Sequence, residues 1–341
     1  MKIREIIRKY ISDNNLSEDV PNRTIARALY QLYPDMCPSL ETLRKNVCAV
    51  RGNQGYKKNK IKDPEKIKFF RENRDPAIVG REYNLNPIKI GFEDLKYKYR
   101  KALVLSDIHL PYHDMDVLTT AIEHGVKNGV DSIYLNGDIL DCAAISRFLK
   151  DSHAPTISEE RDMYWDFVQY LNDKVGLPIT FKMGNHEERW EHYLKRNTPE
   201  LAEVSDFTFK NFLRLDELNI DFVESRQKMY MGKLIVIHGH EFGESVFSPV
   251  NPARGLFLRA KSSVLAGHNH QTSEHHENNL KGDSMACYST GALCQLNPNY
   301  RPFAYTKWNH GFAIVEVYED DTFHVDNLRI NKKDNGTYFV T

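Results

Sequence analysis

The stretch Tyr134-Leu135-Asn136-Gly137-Asp138-Ile139-Leu140-Asp141 decides how this chain folds. An apolar run, Ile133 to Leu135, stops at Gly137, and two carboxylates three positions apart follow it. This is how a buried strand delivers charge to the carboxyl end of a sheet, where open α/β folds place their chemistry. Turn chemistry alone also uses Gly and Asp at strand ends, so the weight comes from recurrence. Ala102-Leu103-Val104-Leu105 breaks into Ser106-Asp107-Ile108-His109, and Ile179-Thr180-Phe181 runs into Gly184-Asn185-His186-Glu187. Leu234 to Ile237 ends in His238-Gly239-His240, and Val264-Leu265-Ala266 ends in Gly267-His268-Asn269-His270. No packing requirement produces such endings in this order. Imidazole mixed with carboxylate suits Mn, Fe, Zn or Ni, whereas carboxylates alone would point to Mg or Ca. Asp138 is the candidate for a carboxylate shared between two metal ions.

Between these strands lie helical stretches, about Val117–Val126 and 158–174, with a helix-rich region over 187–218. Strand–helix alternation predicts parallel strands with crossover helices. The tail from Ala286, with Gly311 to Val317, is predicted to be mainly strands.

With these blocks in place, residues 101–317 resemble the calcineurin-like metallophosphoesterases, all five of whose motif blocks are present. The motif set is similar to that of members found in bacteriophage and bacterial genomes. The resemblance implies an α/β fold, an α/β/β/α sandwich of two packed mixed sheets flanked by helices. It also implies a ligand set: Asp107, His109 and His270 for one metal, Asn185, His238 and His268 for the other, and Asp138 bridging. Mn is the favoured metal, with Fe, Zn or Ni as alternatives.

The chemistry of such a site follows from elementary electrostatics. Two divalent ions ~3.5–4 Å apart polarise a bound phosphate and hold a hydroxide for in-line attack. Adjacent dications need a bridging negative charge, and neutral Asn185 ligates without over-neutralising the pair. The departing oxygen needs a proton, and His186, beside a ligand but not one itself, is the expected donor. Asp141 would orient and charge it, a pairing the resemblance also implies. His240 is read as either a support for the ligands or a structural residue.

One departure from the superfamily matters. Its phosphoprotein phosphatases follow the second Asp of the G-D-x-x-D block with Arg, where this chain has Cys142. That weakens a protein-phosphatase reading. Arg189, one turn after His186, and Arg254 are candidates for clamping substrate, against surface or salt-bridge roles for each. His113, His275 and His276 are expected at the surface, and Trp165, Trp190 and Trp308 in the core.

The N-terminal region differs in character. Ile3, Ile6, Ile7, Tyr10 and Ile11 share a helical face, a second helix is expected from Thr24 to Tyr33, and a third, capped by Ser39, carries Leu40 to Arg51. Three short helices with tight turns are similar to a helix-turn-helix unit. Residues 1–62 carry a charge of +7 in a chain of net charge −1. The functional reading is a nucleic-acid docking module in which Arg44, Lys45 and Arg51 contact phosphates. The alternative is a small packing or oligomerisation domain with solvated charges.

At 341 residues, 41% hydrophobic and 27% charged, the chain is long enough for one large catalytic domain and a small appended one. The expected division is a helix-turn-helix-like all-α domain at 1–55, a linker and lead-in at 56–100, and the phosphoesterase domain at 101–341. The charged N-terminus lacks an apolar signal core, no run approaches the ~20 residues of a membrane span, and the five cysteines form no CxxC pair. A cytoplasmic setting, in a bacterial cell or a phage-infected host, is expected. The expected activity is two-metal hydrolysis of phosphodiesters, with nucleic acid the favoured substrate. A phosphodiesterase or phosphatase for small or cyclic nucleotides, and a non-catalytic binding scaffold, are the alternatives.

Overall fold

The computed structural model describes residues 2–17, 20–52, 93–147, 155–243, 250–297 and 306–341. The chain divides into two compact units, Met1–Lys89 and Ile90–Thr341. Most of the stretch expected to link them lies outside the described residues.

In the first unit, helices α1 (Ile3–Asp13), α2 (Asn22–Leu32) and α3 (Leu40–Val50) close on Ile7, Ile25, Ala26, Leu29, Leu43 and Val47. Ser39 caps α3 by accepting a hydrogen bond from the Thr42 N–H at 3.2 Å, which satisfies one of the orphan donors of a helix start. Arg51 donates to the Ser17 and Val20 carbonyls and to Asn22 Oδ1, fixing the entry to α2. Arg44 lies against Glu41 one turn earlier.

The second unit is built on strands whose faces alternate with the period of two that the backbone imposes. Its strands are β1 (Leu95–Lys96), β2 (Lys101–Leu105), β3 (Ser132–Asn136), β4 (Ile179–Lys182), β5 (Asp221–Val223), β6 (Met229–Met231), β7 (Leu234–Val236), β8 (Val264–Ala266), β9 (Ser273–Asn278), β10 (Ser284–Ser289), β11 (Gly311–Val317), β12 (Phe323–Lys332) and β13 (Tyr338–Val340). One sheet runs β13-β12-β11-β2-β3-β4-β5, with β2 to β5 parallel and the rest antiparallel. The other runs β1-β6-β7-β8-β10-β9 and is also mixed.

Leu103, Leu105, Ile133 and Leu135 face one way, against Val117, Ala121, Tyr164 and Leu171 of α4 (Met115–Lys127) and α5 (Ile157–Lys174). Ala102, Val104 and Tyr134 face the other way and meet Met231, Leu234, Val236 and Leu265 of the second sheet. The outer face of that sheet is covered by Ala253, Leu256 and Phe257, from the helix Pro252–Ala260. The layers are therefore α/β/β/α, as the family resemblance implied. Burying each large aliphatic side chain contributes roughly 1.5–3 kcal/mol, so the two-faced apolar strands commit the chain to this sandwich.

Helix starts follow their caps. Asp114 accepts from the Val117 N–H to open α4, and Thr156 with Glu159 forms a capping box on α5. The region 187–218 is only partly helical: α6 (Glu188–Asn197) is followed by short turns at Ser205–Phe207 and Phe209–Phe212. The helix Pro252–Ala260 is α7. No described helix is long and apolar enough to cross a membrane.

Candidate metal centre

The five chemistry-bearing motifs begin where β2, β3, β4, β7 and β8 end. Their first turns are tight. Asp107, His109, Asp138, His268 and His270 all adopt left-handed backbone, with φ between 52° and 64°. Non-glycine residues held there cost of the order of 1–3 kcal/mol each and concentrate at functional sites. Gly137, at φ 82°, lies so close to His238 that a Cβ would sit 2.5 Å from its Nδ1. The glycine of the opening motif thus serves both the turn and the imidazole packed on it.

The side chains converge on Asp138. Its Oδ2 lies 3.2 Å from His238 Nε2, and 3.9 Å from both His109 Nε2 and His186 Nε2. Asp107 Oδ1 is 3.1 Å from His270 Nε2, which is itself 3.2 Å from His109 Nε2. Ligand atoms of Asp138, His238 and His268 lie close enough together to hold one ion, as do those of His109, Asp138 and His186, and of His109, His270 and Cys294. All seven side chains expected as ligands are buried or half-buried.

Among the expected ligands two buried atoms have no hydrogen-bond partner, Asn185 Oδ1 and His238 Nε2. The latter is near Asp138 but outside hydrogen-bonding geometry. A buried polar atom left unsatisfied costs roughly 1–3 kcal/mol, and both atoms are of the type that ligates a transition metal. The residues present therefore fit a metal.

The electrostatics agree. Burial by itself would raise the Asp107 carboxyl, but the His270 and His238 imidazoles outweigh it and hold it down to about 2. Asp138 is likewise pulled well below the usual carboxylate range, burial being overcome by His238 and His186. Burial would lower His238, yet Asp138 and Asp107 lift it to about 10. His268, buried beside His238, falls to about 4. A cluster in which buried carboxylates raise one imidazole while burial and that imidazole lower its neighbour is the environment a cation would complete.

The ligands are braced by side chains behind them. His238 Nδ1 donates to the Asn136 carbonyl at 2.7 Å, which leaves Nε2 facing the cluster. Asp141 Oδ1 lies 2.9 Å from His109 Nδ1 and 3.1 Å from His186 Nδ1, so one carboxylate orients both rings. The Asp141 backbone carbonyl is 2.9 Å from His186 Nδ1 and accepts from Arg189 Nη1 at 2.7 Å. Arg189 Nη2 lies 2.9 Å from His186 Nε2. His240 stands outside the ligand set, its Nε2 3.2 Å from Glu188 Oε1 and 3.0 Å from Ser225 Oγ.

The profile of the calcineurin-like phosphoesterases matches residues 100–298. This chain belongs to that family. It is accordingly a metal-dependent hydrolase. It is 28% identical over 228 residues to the Gene 54 protein of Mycobacterium phage L5, covering 64% of this chain and 89% of that one. The Gene 54 protein of Mycobacterium phage D29 is 27% identical over the same shares. Among solved structures, a dimetal phosphatase from Danio rerio aligns with 72% of this phosphoesterase and 99% of its own chain, at 12% identity and a TM-score of 0.36.

Several residues of this phosphoesterase fall elsewhere than expected, or were missed. Arg254 is exposed on the first turn of α7, its backbone N–H bonded to Asn251 Oδ1. His113 is not at the surface: it is half-buried, in a backbone bridge to Cys294. His275 is half-buried against Phe257, and only His276 of the three is exposed. Trp165 and Trp190 are anchored through their indole N–H groups to the Leu213 and Phe207 carbonyls, whereas Trp308 lies over His270 at 4.3 Å between ring centres.

Glu187 does more than end the Gly184-Asn185-His186-Glu187 motif. It is fully buried and accepts from the N–H groups of Asp138, Ile139, Leu140 and Gly184, tying two ligand loops together. Glu160 does the same for Cys142 and Ala143. Lys182, fully buried at the end of β4, pairs with Glu241 at 3.1 Å and so joins the loops after β4 and β7. A signal existed for Lys182 and Glu187, since Lys182 is a charge ending the apolar strand β4 and Glu187 follows five residues later in the same motif. Nothing local marks Glu160, which sits on a polar first turn of α5.

Proposed function

We propose that this phosphoesterase hydrolyses phosphodiesters in nucleic acid at a two-metal centre, with Asp138 as the shared ligand. Asp107, His109 and His270 would hold one ion, and Asn185, His238 and His268 the other. The observation that carries the reading is the convergence of imidazoles on Asp138 with the Asn185 oxygen buried and unpartnered beside it. When bound, the metal pair would supply Lewis-acid polarisation of the phosphate and a water of lowered pKa. Mn suits the mixed donor set, as do Fe, Zn and Ni.

The chain's own residues supply the remaining chemistry. Asp141 fixes the His109 and His186 rings so that each presents Nε2 toward Asp138. With Nδ1 bound to Asp141, His186 accepts Arg189 at Nε2 in the resting arrangement. To deliver a proton to the leaving oxygen, His186 must be protonated at Nε2, with Arg189 turned from it to the substrate. The buried Asp141 carboxylate, held well below its usual range, stabilises that imidazolium.

The helical unit is proposed to dock the polymer through the Arg44 and Lys45 side of α3, with Arg51 bracing the unit from within. Five buried, unpaired cysteines support action in the cytoplasm of a bacterial or phage-infected cell. The test is turnover by Mn-loaded protein of single-stranded and duplex DNA, RNA, a cyclic dinucleotide and an aryl phosphodiester, repeated with Arg44→Glu and Lys45→Glu. Polynucleotide cleavage that falls with charge reversal, while aryl-ester turnover persists, is expected. Cleavage of small esters alone, indifferent to the reversal, would refute the nucleic-acid reading.

A further inference from the structure

Beside the metal centre is a cavity of about 280 Å3, most of whose lining lies outside the expected catalytic set. Asn185 is in its lining, together with Arg147, Arg189, His192, Tyr193 and Arg196. Four of these come from α6 at positions i, i+3, i+4 and i+7, which share one helical face. The stripe begins with Arg189, in contact with His186, and a rise of 1.5 Å per residue carries Arg196 about 10 Å further along the axis.

Its charge is one-sided. Among the described residues three guanidiniums line the cavity, and the one acidic residue on its wall, Glu188, is turned to Ser225 and His240. Lys195, on the same helix but off this face, is paired with Glu191. A chain of net charge −1 has thus gathered cations beside its expected metal ligand Asn185. Guanidinium groups bind phosphate through paired N–H donors, and an exposed tyrosine among them offers a ring for a base or sugar.

We propose that this cavity is a subsite for a second phosphate of the substrate, one linkage away from the phosphate at the metals. It rests on the phosphodiesterase reading above and deepens it: the preferred substrate carries at least two phosphates. That second phosphate is an internal one in a polynucleotide or a terminal one on a short nucleotide. Arg147 and Arg196 clamp it, and Arg189 lies between the two phosphates.

The experiment compares thymidine 5′-(p-nitrophenyl phosphate) with the same compound bearing a 3′-phosphate, using Mn-loaded full-length protein. The 3′-phosphate is expected to raise kcat/KM about tenfold, mainly through KM, the effect of one charge-assisted contact. Arg196→Gln and Arg147→Gln should each collapse that ratio toward one, and Lys195→Gln should keep it. Calorimetric binding of thymidine 3′,5′-bisphosphate against thymidine 5′-monophosphate should show the same preference and the same losses. A wild-type ratio near one in both measurements, or a ratio that survives both arginine variants, overturns the subsite. If wild type turns over neither ester, the phosphodiesterase reading fails, and the binding preference still decides the subsite. TpT against pTpT and TpTpT then separates the two sources: gain from a terminal phosphate alone identifies a short nucleotide, and further gain from an internal one identifies a polymer.

Discussion

Replacing Lys182 with Met should destabilise the second unit by removing the cation that ties its two ligand-bearing loops together. Lys182 Nζ is fully buried, 3.1 Å from Glu241 Oε1, and donates to the Glu224 carbonyl at 3.0 Å and to the Ser225 carbonyl. Met fills a similar volume, so packing is largely kept and the charge alone is lost. Glu241 would then lose its buried cation and keep the His238 and Gly239 N–H groups and the His240 ring, whose Nδ1 is 3.8 Å away. Leaving one member of a buried ion pair uncompensated costs about 3–5 kcal/mol. At 2–4 °C per kcal/mol for a domain of this size, Tm should fall by roughly 6–20 °C.

Thermal and urea unfolding of metal-free protein measures this directly. Lys182→Met with Glu241→Gln should be less destabilised than Lys182→Met alone, because no bare charge remains. A single variant within about 1 kcal/mol of wild type, or a double variant worse than the single, would refute the reasoning. The same pair has a pH signature. Burial would raise Glu241, but Lys182 and His240 hold it down to about 2. A depressed carboxyl contributes stability that is complete above its unfolded value of about 4.3 and is lost as pH falls toward 2. Wild type should lose stability through that window more steeply than Glu241→Gln.

Other outcomes follow from the same geometry. His186→Ala should retain metal and lose turnover most on substrates with poor leaving groups; equal loss for good and poor leaving groups would count against proton donation. Asp138→Ala should lose metal as well as activity, so a fully loaded, active variant would remove the bridging assignment. Because His238 is raised to about 10 in the metal-free protein, metal binding near pH 7 should release about one proton, measurable by calorimetry in buffers of different ionisation enthalpy. Raised above its usual value, the same imidazole adds stability to the metal-free fold below pH ~6.5, which is lost as pH rises through 10. His238→Asn should flatten that slope.

The apolar runs ending at Leu105, Leu135, Phe181, Val236 and Ala266 made both the parallel strands and the chemistry at their ends legible in the sequence. Each run is short, largely buried and followed within four residues by Asp, Asn or His, so local pattern and tertiary role coincide. The division into two sheets was not legible from alternation: Ala102 and Leu103 are both simply apolar, and only packing sends one to the second sheet and the other to the helices. That architecture came from the family resemblance.

Around the metal centre, the ligand types stood out because carboxylates and imidazoles interrupt apolar strands. The braces did not. Glu187 and Glu160 act through backbone N–H groups up to 49 positions away, and Lys182 through a carboxylate in the loop after β7. Such partners are set by the fold's closure and leave no periodic trace. The cationic face of α6 was half visible: Arg189 was marked by its place after His186, whereas Arg147 joins it only in three dimensions.

The most direct test of the central claim, that these strand ends form one two-metal centre bridged by Asp138, is electron paramagnetic resonance during Mn titration of the metal-free protein. The account predicts an exchange-coupled dimanganese signal that grows to two ions per chain and is absent in Asp138→Ala. A six-line spectrum of isolated Mn at saturation, or a coupled signal that persists without Asp138, would contradict it.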